Sequence, residues 1–268
     1  MTRSALISTA DLQMQLSKVK ILDASYGLPW EENFPRIGNA QFFDIDDIAD
    51  PKSALPHTLP SADIFAQKTG ALGITEKDTI VVYDRAGISM AASRAWWMFR
   101  VFGHKNVFVL DGGLPKWLAE GRPVTIATAR PVPAVYLAHF NPALVRSFDQ
   151  MMNNLKTGKE TVLDARSAER FYTVQGHIPE SENVPYMSLV GPDGALRNKD
   201  ELKKLLAGNL SRPTTATCGS GITACVVALA LYELGRDDIP VYDGSWTEWM
   251  QHPQTPKEIG SCQAKKIN

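Results

Sequence analysis

The feature that most constrains the fold is an internal repeat that covers most of the 268-residue chain. Three short landmarks in the first half return in the second half, in the same order and 132–141 residues later. Because three ordered matches at nearly one spacing are improbable by chance, they indicate two tandem copies of one domain. This period is far longer than the roughly 20–50 residues of a solenoid repeat, so each copy is expected to be a complete domain. The matched landmarks are residues 21–24 with 162–165, 87–91 with 221–225, and 111–113 with 243–245.

A proline-rich segment separates the two copies. It has little apolar periodicity, as is typical of an extended linker. We therefore predict a first domain at residues 1–130, a linker at 131–141 and a second domain at 142–268. The prolines of this segment are Pro123, Pro131, Pro133 and Pro142.

Strand and helix patterns alternate within each copy. Short runs rich in β-branched residues precede loops, and the runs with helical spacing end at Gly103 and Gly235. This alternation predicts α/β domains, each with a central, mainly parallel sheet flanked by helices, and ligand sites beyond the carboxyl ends of the strands. The predicted strands are residues 20–23, 79–83, 107–110, 161–164 and 240–242 with one before Cys218, and the predicted helices are 89–102 and 223–234.

Composition argues against several classes of protein. The 28 lysines and arginines balance 29 aspartates and glutamates, so no net charge attracts nucleic acid or an anionic membrane. No apolar run is long enough for a signal peptide or a membrane span. The three cysteines form no C-x-x-C pair, so neither a structural zinc ion nor a disulfide framework is expected. We expect a cytoplasmic protein without metal or cofactor.

The segment 217–223 lies between a predicted strand and a predicted helix and contains Cys218. Gly219 and Gly221 permit a tight curl in which successive N–H groups point inward. Such a curl at a helix N-terminus favours an anion, and here that anion can be the cysteine thiolate itself. We therefore predict a nucleophilic Cys218, the alternative being a buried cysteine that acts as a small apolar residue.

The other two cysteines lack this setting. Cys225 lies among apolar residues of the predicted helix, and Cys262 lies in a polar tail. At the repeat spacing Cys218 corresponds to Asp84, so only the second copy can supply a thiol nucleophile. A cysteine phosphatase would need an arginine six residues after the cysteine, where this chain has Ala224.

The whole set of landmarks resembles tandem-domain rhodanese-like sulfurtransferases, and within them the 3-mercaptopyruvate sulfurtransferases most closely. The resemblance implies two rhodanese-like domains, of which only the second is active. It also implies that sulfur passes from 3-mercaptopyruvate through a Cys218 persulfide to an acceptor, with release of pyruvate. The residues that carry the resemblance are 42–46, 57–60, 96–104, 111–113, 164–166, 176–179, 183–185 and 243–246.

The resemblance also assigns a proton relay, formed by Ser220 with His57 and Asp46 from the first domain. Histidine exchanges protons near neutral pH, which suits this role. Without the resemblance, His57 would be interpreted as a solvated loop residue and Asp46 as one of several surface acids. If the relay operates, the active site lies between the two domains.

The substrate contacts implied by the resemblance are one arginine and the cysteine loop. Arg170 would bind the donor carboxylate, together with Gly219, Gly221, Ile222 and Thr223 of the loop. Relatives that use thiosulfate carry two cations in this loop, whereas the neutral loop of this chain favours the keto acid.

One departure from the family leaves other donors open. Residues 172–175 replace a longer insert that holds a second substrate arginine in relatives. This shortening favours a thiosulfate or polysulfide sulfurtransferase as an alternative. A persulfide carrier that serves a protein acceptor is a further alternative. The expected partners are therefore a small anionic sulfur donor and a thiol, cyanide or thioredoxin-like acceptor.

Overall fold

Two five-stranded sheets, one in each half of the chain, carry the fold. The computed structural model describes residues 4–27, 34–87, 90–127 and 130–260. The first half contains β1 (Leu6–Ile7), α1 (Thr9–Met14), β2 (Lys20–Asp23), β3 (Gln41–Phe42), α2 (Ala62–Ala71), β4 (Ile80–Tyr83), α3 (Met90–Val101), β5 (Val107–Leu110) and α4 (Gly113–Ala119).

The second half repeats this arrangement, with one additional short helix between its second and third strands. Its elements are β6 (Val145–Arg146), α5 (Phe148–Thr157), β7 (Thr161–Asp164), α6 (Ala168–Phe171), β8 (Glu182–Asn183), α7 (Lys199–Leu206), β9 (Thr214–Thr217), α8 (Ala224–Glu233), β10 (Val241–Tyr242) and α9 (Ser245–Gln251).

The two sheets have the same topology. The strand orders are β1-β5-β4-β2-β3 and β6-β10-β9-β7-β8, and every pairing between these strands is parallel. The predicted α/β fold of two sheets flanked by helices is thereby confirmed. In the sequence, the first sheet ends at Leu110 and the second begins at Val145. The domain boundaries at 130 and 142 stay a prediction.

The central strands β4 and β9 are buried along their whole length. Helices cover both faces of a parallel sheet, which is why its central strands need no polar face. Each central strand leads into the next helix through a short loop at its carboxyl end. The predicted helix at residues 89–102 is observed as α3, and residues 88–89 lie outside the described residues.

Helices α3 and α8, which follow the central strands, pack against each other. Trp97 and Phe99 of α3 belong to the same buried apolar cluster as Val226 and Leu229 of α8. The two sheets therefore share one continuous hydrophobic core. None of the described helices is long and apolar enough to cross a bilayer.

The segment 130–141 between the sheets contains no helix or strand and lies on the first domain. The N–H of Ala134 donates to Gly70 O at 2.8 Å, and the N–H of Asn141 donates to Val101 O at 2.7 Å. Tyr136 is buried, with its hydroxyl 3.2 Å from His104 Nδ1. This segment is thus held against the first domain by backbone hydrogen bonds.

The shared core predicts that the two domains unfold together. Replacing the fully buried Leu229 by alanine should lower the free energy of unfolding by about 2–5 kcal/mol, because it leaves a cavity in α8. Urea denaturation followed by circular dichroism should show one transition in both proteins. Leu205→Ala, at an exposed position of α7, is the matched control and should cost less than about 0.5 kcal/mol. Two resolved transitions would contradict the shared core.

Candidate active site

The Cys218 loop (residues 218–223) lies at the carboxyl end of β9, directly before α8. Cys218 is only 2% exposed, and its N–H donates to Ser245 Oγ at 3.2 Å. Its carbonyl accepts from the N–H of Trp246 at 3.0 Å, and that of Gly219 accepts from the N–H of Thr247 at 2.9 Å. The start of α9 therefore fixes the start of the loop.

The inner amides of this loop have no acceptor in the described part of the chain. Within the described residues, no acceptor is hydrogen-bonded to the N–H groups of residues 219–223. Gly221 has φ +83°, and a Cβ there would lie 2.6 Å from the Asp243 carbonyl oxygen, so only glycine fits. Ile222 is buried, and Thr223 begins the helix. A row of free amides at a helix N-terminus is suited to binding an anion.

In the matching loop of the first domain, the amides of Arg85 and Gly87 have acceptors within the described residues. Asp84 Oδ1 accepts from the N–H of Gly87 at 2.9 Å, and Oδ2 accepts from the N–H of Ala92 at 3.4 Å. Ser25 Oγ accepts from the N–H of Arg85 at 2.8 Å. Burial raises the pKa of Asp84 to about 6, although these hydrogen bonds oppose the shift. A carboxylate therefore accepts the N–H of Gly87, which corresponds to Gly221, and a thiol stands at the matching position of the other copy.

His57 and Asp46 lie together, on the first domain. His57 Nδ1 is 2.5 Å from Asp46 Oδ1, and Nε2 is 3.3 Å from the hydroxyl of Tyr26. Burial of the Tyr26 phenol, and Asp46 nearby, raise the pKa of Tyr26. Ser220 Oγ makes no hydrogen bond to His57 or to any other described residue. The structure thus joins two of the three predicted relay residues and places Tyr26 beside the histidine.

An arginine of the first domain connects the two halves of the site. Arg94, on α3, is completely buried and donates from Nη1 to Gly221 O at 3.1 Å and from Nη2 to His57 O. Nη2 also lies 2.8 Å from Asp243 Oδ1, beyond the end of β10. Burial disfavours the guanidinium charge, but the Asp243 carboxylate outweighs it, so the pKa of Arg94 is raised.

Arg170 lies at the rim of the loop. It is exposed at the end of α6, and a Cβ on Gly219 would lie 3.2 Å from its Nη2. Among the described residues, no acidic side chain pairs with its guanidinium. Arg166, in contrast, is buried and holds Asp164 with Nη2 at 2.7 Å. Of these two arginines, Arg170 therefore has the charge available to a ligand.

Cys225 contacts the Cys218 loop but does not share the setting of Cys218. Cys225 is fully buried in α8, and its thiol donates to Gly221 O at 3.3 Å. Burial raises the pKa of the Cys225 thiol far above its usual range, which keeps it neutral. Cys262 lies outside the described residues.

Sequence reasoning missed Arg94, Asp243 and Tyr26. Arg94 is a charged residue among the apolar residues that define the buried face of α3, and this interruption was the available signal. Asp243 belongs to a repeated landmark, but nothing in its spacing points to Arg94. Tyr26 follows β2 without any pattern that would pair it with His57.

The chain matches known proteins over most of its length. The rhodanese-like domain family matches residues 8–120 and 147–252, so the chain belongs to the rhodanese-like family with two copies of its domain. It is 40% identical, over 90% of this chain and 74% of the relative, to thiosulfate/3-mercaptopyruvate sulfurtransferase 1 of Arabidopsis thaliana, named as mitochondrial. It is 37% identical to 3-mercaptopyruvate sulfurtransferase of Rattus norvegicus, over 93% of this chain and 91% of the relative.

A solved structure supports the same assignment. SseA of Escherichia coli, a 3-mercaptopyruvate sulfotransferase, superposes with a TM-score of 0.83 at 33% identity. The match covers 91% of this chain and 99% of SseA. The similarity therefore extends over both domains of that enzyme.

The carboxylate of Asp84 should give a pH-dependent contribution to stability. Because its pKa is about 6 in the folded protein and 3.8 for an unperturbed aspartate, the stability that Asp84 contributes is present below about pH 4 and lost as pH rises through about 6. The free energy of unfolding of wild type minus that of Asp84→Asn should fall by about 3 kcal/mol between these limits. Urea denaturation across this range measures it, and a constant difference would contradict the assignment.

Proposed function

We propose that this protein is a sulfurtransferase that carries sulfur as a persulfide on Cys218, with 3-mercaptopyruvate as its preferred donor. The observation that carries this proposal is the row of amides at residues 219–223, which begins at a cysteine and has no acceptor among the described residues. In the first domain the Asp84 carboxylate accepts the N–H of Gly87, which corresponds to Gly221, and this supports an anion as the partner of the row. The names of the relatives support the same reaction.

In the first half-reaction, the Cys218 thiolate attacks the sulfur of 3-mercaptopyruvate. The new S–S bond forms as the C–S bond breaks, and the electron pair of that bond goes to carbon as the enolate of pyruvate. The proton lost from the donor thiol returns to this carbon, which yields pyruvate. Sulfur is oxidised to the persulfide level, and the carbon that loses it is reduced.

A proton carrier is needed between the donor sulfur and the enolate carbon. His57 suits this task because Asp46 Oδ1, 2.5 Å from Nδ1, orients the imidazole and leaves Nε2 to exchange the proton. Ser220 belongs to the relay in this proposal as a loop hydroxyl close to the reacting sulfur.

In the second half-reaction, a nucleophile attacks the outer sulfur of the persulfide and releases the Cys218 thiolate. A small thiol, cyanide or a thioredoxin-like protein each provides such a nucleophile. The persulfide-carrier alternative differs only in the acceptor, which would then be a protein. Small acceptors would turn over slowly in that case.

Charge balance around the loop favours a donor with one carboxylate. The charge of Arg94 is compensated by Asp243, whereas Arg170 keeps its charge at the rim. A thiosulfate dianion would have to rely on this one arginine and the loop amides. Thiosulfate is retained as the alternative donor because the Arabidopsis relative is named for both substrates.

The cytoplasmic location predicted from the sequence stays a prediction. The mitochondrial name of the Arabidopsis relative defines the competing location. Fractionation of the native cells with an antibody to this protein distinguishes the two.

The proposed intermediate predicts one added sulfur atom on Cys218 after treatment with 3-mercaptopyruvate in the absence of an acceptor. Peptide mass spectrometry of the alkylated protein locates that sulfur. Cys218→Ser should accept none, because a hydroxyl cannot form a persulfide. Cys225→Ser is the matched control and should still be sulfurated at Cys218. Sulfur found only on Cys225 or Cys262 would refute the site assignment.

The proposed donor predicts a higher kcat/KM for 3-mercaptopyruvate than for thiosulfate. Arg170→Gln should raise KM for 3-mercaptopyruvate about 10–100-fold, because a charge-assisted hydrogen bond to its carboxylate is lost. Steady-state kinetics with cyanide as acceptor measures both values. Arg212→Gln, which removes an exposed ion pair with Glu182, is the control and should leave KM unchanged. A higher kcat/KM for thiosulfate in wild type would favour the alternative function.

A further inference from the structure

The buried guanidinium of Arg94 connects three segments that are distant in the sequence. It bonds the carbonyl of Gly221 in the Cys218 loop, the carbonyl of His57 and the carboxylate of Asp243. One rigid planar group with several fixed donors therefore sets the spacing between a loop of the second domain and a residue of the first. No other described side chain bonds both of these carbonyls.

Asp243 extends this connection to the far side of the His57 turn (residues 55–59). Its Oδ2 accepts from the N–H of Leu59 at 2.8 Å, while its Oδ1 pairs with Arg94. The turn is thus held at the His57 carbonyl by Arg94 and at the Leu59 amide by Asp243. Loss of either partner would leave the other charge buried without compensation.

The backbone of His57 requires such support. Its φ of +59° lies in the left-handed region, which is unfavourable for a residue with a Cβ. At the corresponding turn of the second domain the residue is Gly194, with φ +79°, which has no such cost. A histidine therefore occupies a position where the other copy has glycine, and its conformation has to be maintained by neighbouring contacts.

The second junction between the domains has the matching aspartate but lacks the arginine. Asp111 Oδ1 accepts from the N–H of Leu196 at 2.8 Å, just as Asp243 accepts from Leu59. At the repeat spacing of the cysteine loop, however, Arg94 corresponds to Ala228. The arginine is thus present only at the junction that contains the cysteine and the histidine, although the aspartate contact is common to both.

We propose that Arg94 is a positioning residue that holds His57 in register with the Cys218 loop across the domain interface. This inference rests on the proposed function, in which His57 moves a proton between groups bound at that loop. Arg94 touches neither donor nor acceptor and acts through the His57 and Gly221 carbonyls. Asp243 is its partner in this role.

The first test compares two substitutions of Arg94 in steady-state turnover of 3-mercaptopyruvate. Arg94→Met removes all three contacts and should lower kcat/KM about 100-fold, as expected when a catalytic group is displaced by about 1 Å. Arg94→Lys keeps the charge opposite Asp243 and should recover part of this loss, mainly in kcat. A lysine variant no better than the methionine variant would contradict a role that depends on the ion pair.

Arg100→Met is the matched control. Arg100 lies on the same helix, stacks on Trp96 and Tyr232 and donates to Asp237 O across the same interface at 2.8 Å. It lies away from the Cys218 loop, so its loss should change kcat/KM less than about three-fold. A loss as large as that of Arg94→Met would show that any weakened interface is sufficient, and would overturn the proposal.

A double-mutant cycle with His57→Ala separates positioning from a purely structural role. If Arg94 acts by placing the imidazole, Arg94→Lys should lower kcat/KM less than about three-fold in a protein that already carries His57→Ala. If Arg94→Lys lowers kcat/KM by the same factor with and without His57→Ala, the positioning role is overturned and the proposed function is left intact. A folded wild-type protein that transfers sulfur from none of the donors would instead reject the proposed function itself. The lysine variant keeps the buried ion pair, so we expect it to fold, and the double-mutant cycle uses this variant.

Discussion

The site depends on the packing of α3 against α8. Each helix follows the central strand of its own sheet, so their contact brings the carboxyl ends of the two central strands to one interface. The loop at each strand end therefore faces a turn of the other domain. Because all of α8 except Tyr232 is buried, it can neither shift nor separate from α3 without exposing the common core. Distances across the interface are thereby fixed by apolar packing rather than by the polar groups of the site.

The two junctions made by this packing differ at the position of the cysteine. At one, Gly194 lies so close to the Gly87 carbonyl that no Cβ could be placed on it, and Asp84 accepts the N–H of Gly87. At the other, the N–H of Gly221 has no acceptor among the described residues, and Cys218 stands where the carboxylate would be. A charged carboxylate at the first junction costs free energy of desolvation that its hydrogen bonds only partly offset. At the second junction, the positive electrostatic potential of the loop amides is available to a thiolate or a bound anion.

The sequence predicts what depends on local patterns. The strand at residues 161–164 and the equivalence of Cys218 with Asp84 follow from periodicity and from the repeat. The two-residue strands β1 and β3 are too short to carry any alternation, and they exist because longer neighbours offer them hydrogen-bonding edges. Arg94 could not be assigned for a similar reason, since its partners are defined by how two helices pack. The relay was predicted only through a family resemblance.

The retention of a first domain without a nucleophile has a physical explanation in this arrangement. The proposed mechanism needs groups near the Cys218 loop that exchange protons, and the second domain presents this loop at the interface with the first domain. The first domain places His57, Asp46 and Tyr26 there, and it adds a buried arginine whose charge Asp243 cancels. A neutral pair can fix the geometry without competing for the donor anion, whereas an unpaired cation at the same place would attract that anion away from the sulfur. In the proposed mechanism, one domain carries the thiol and the other positions the proton carrier, and this division follows from these constraints.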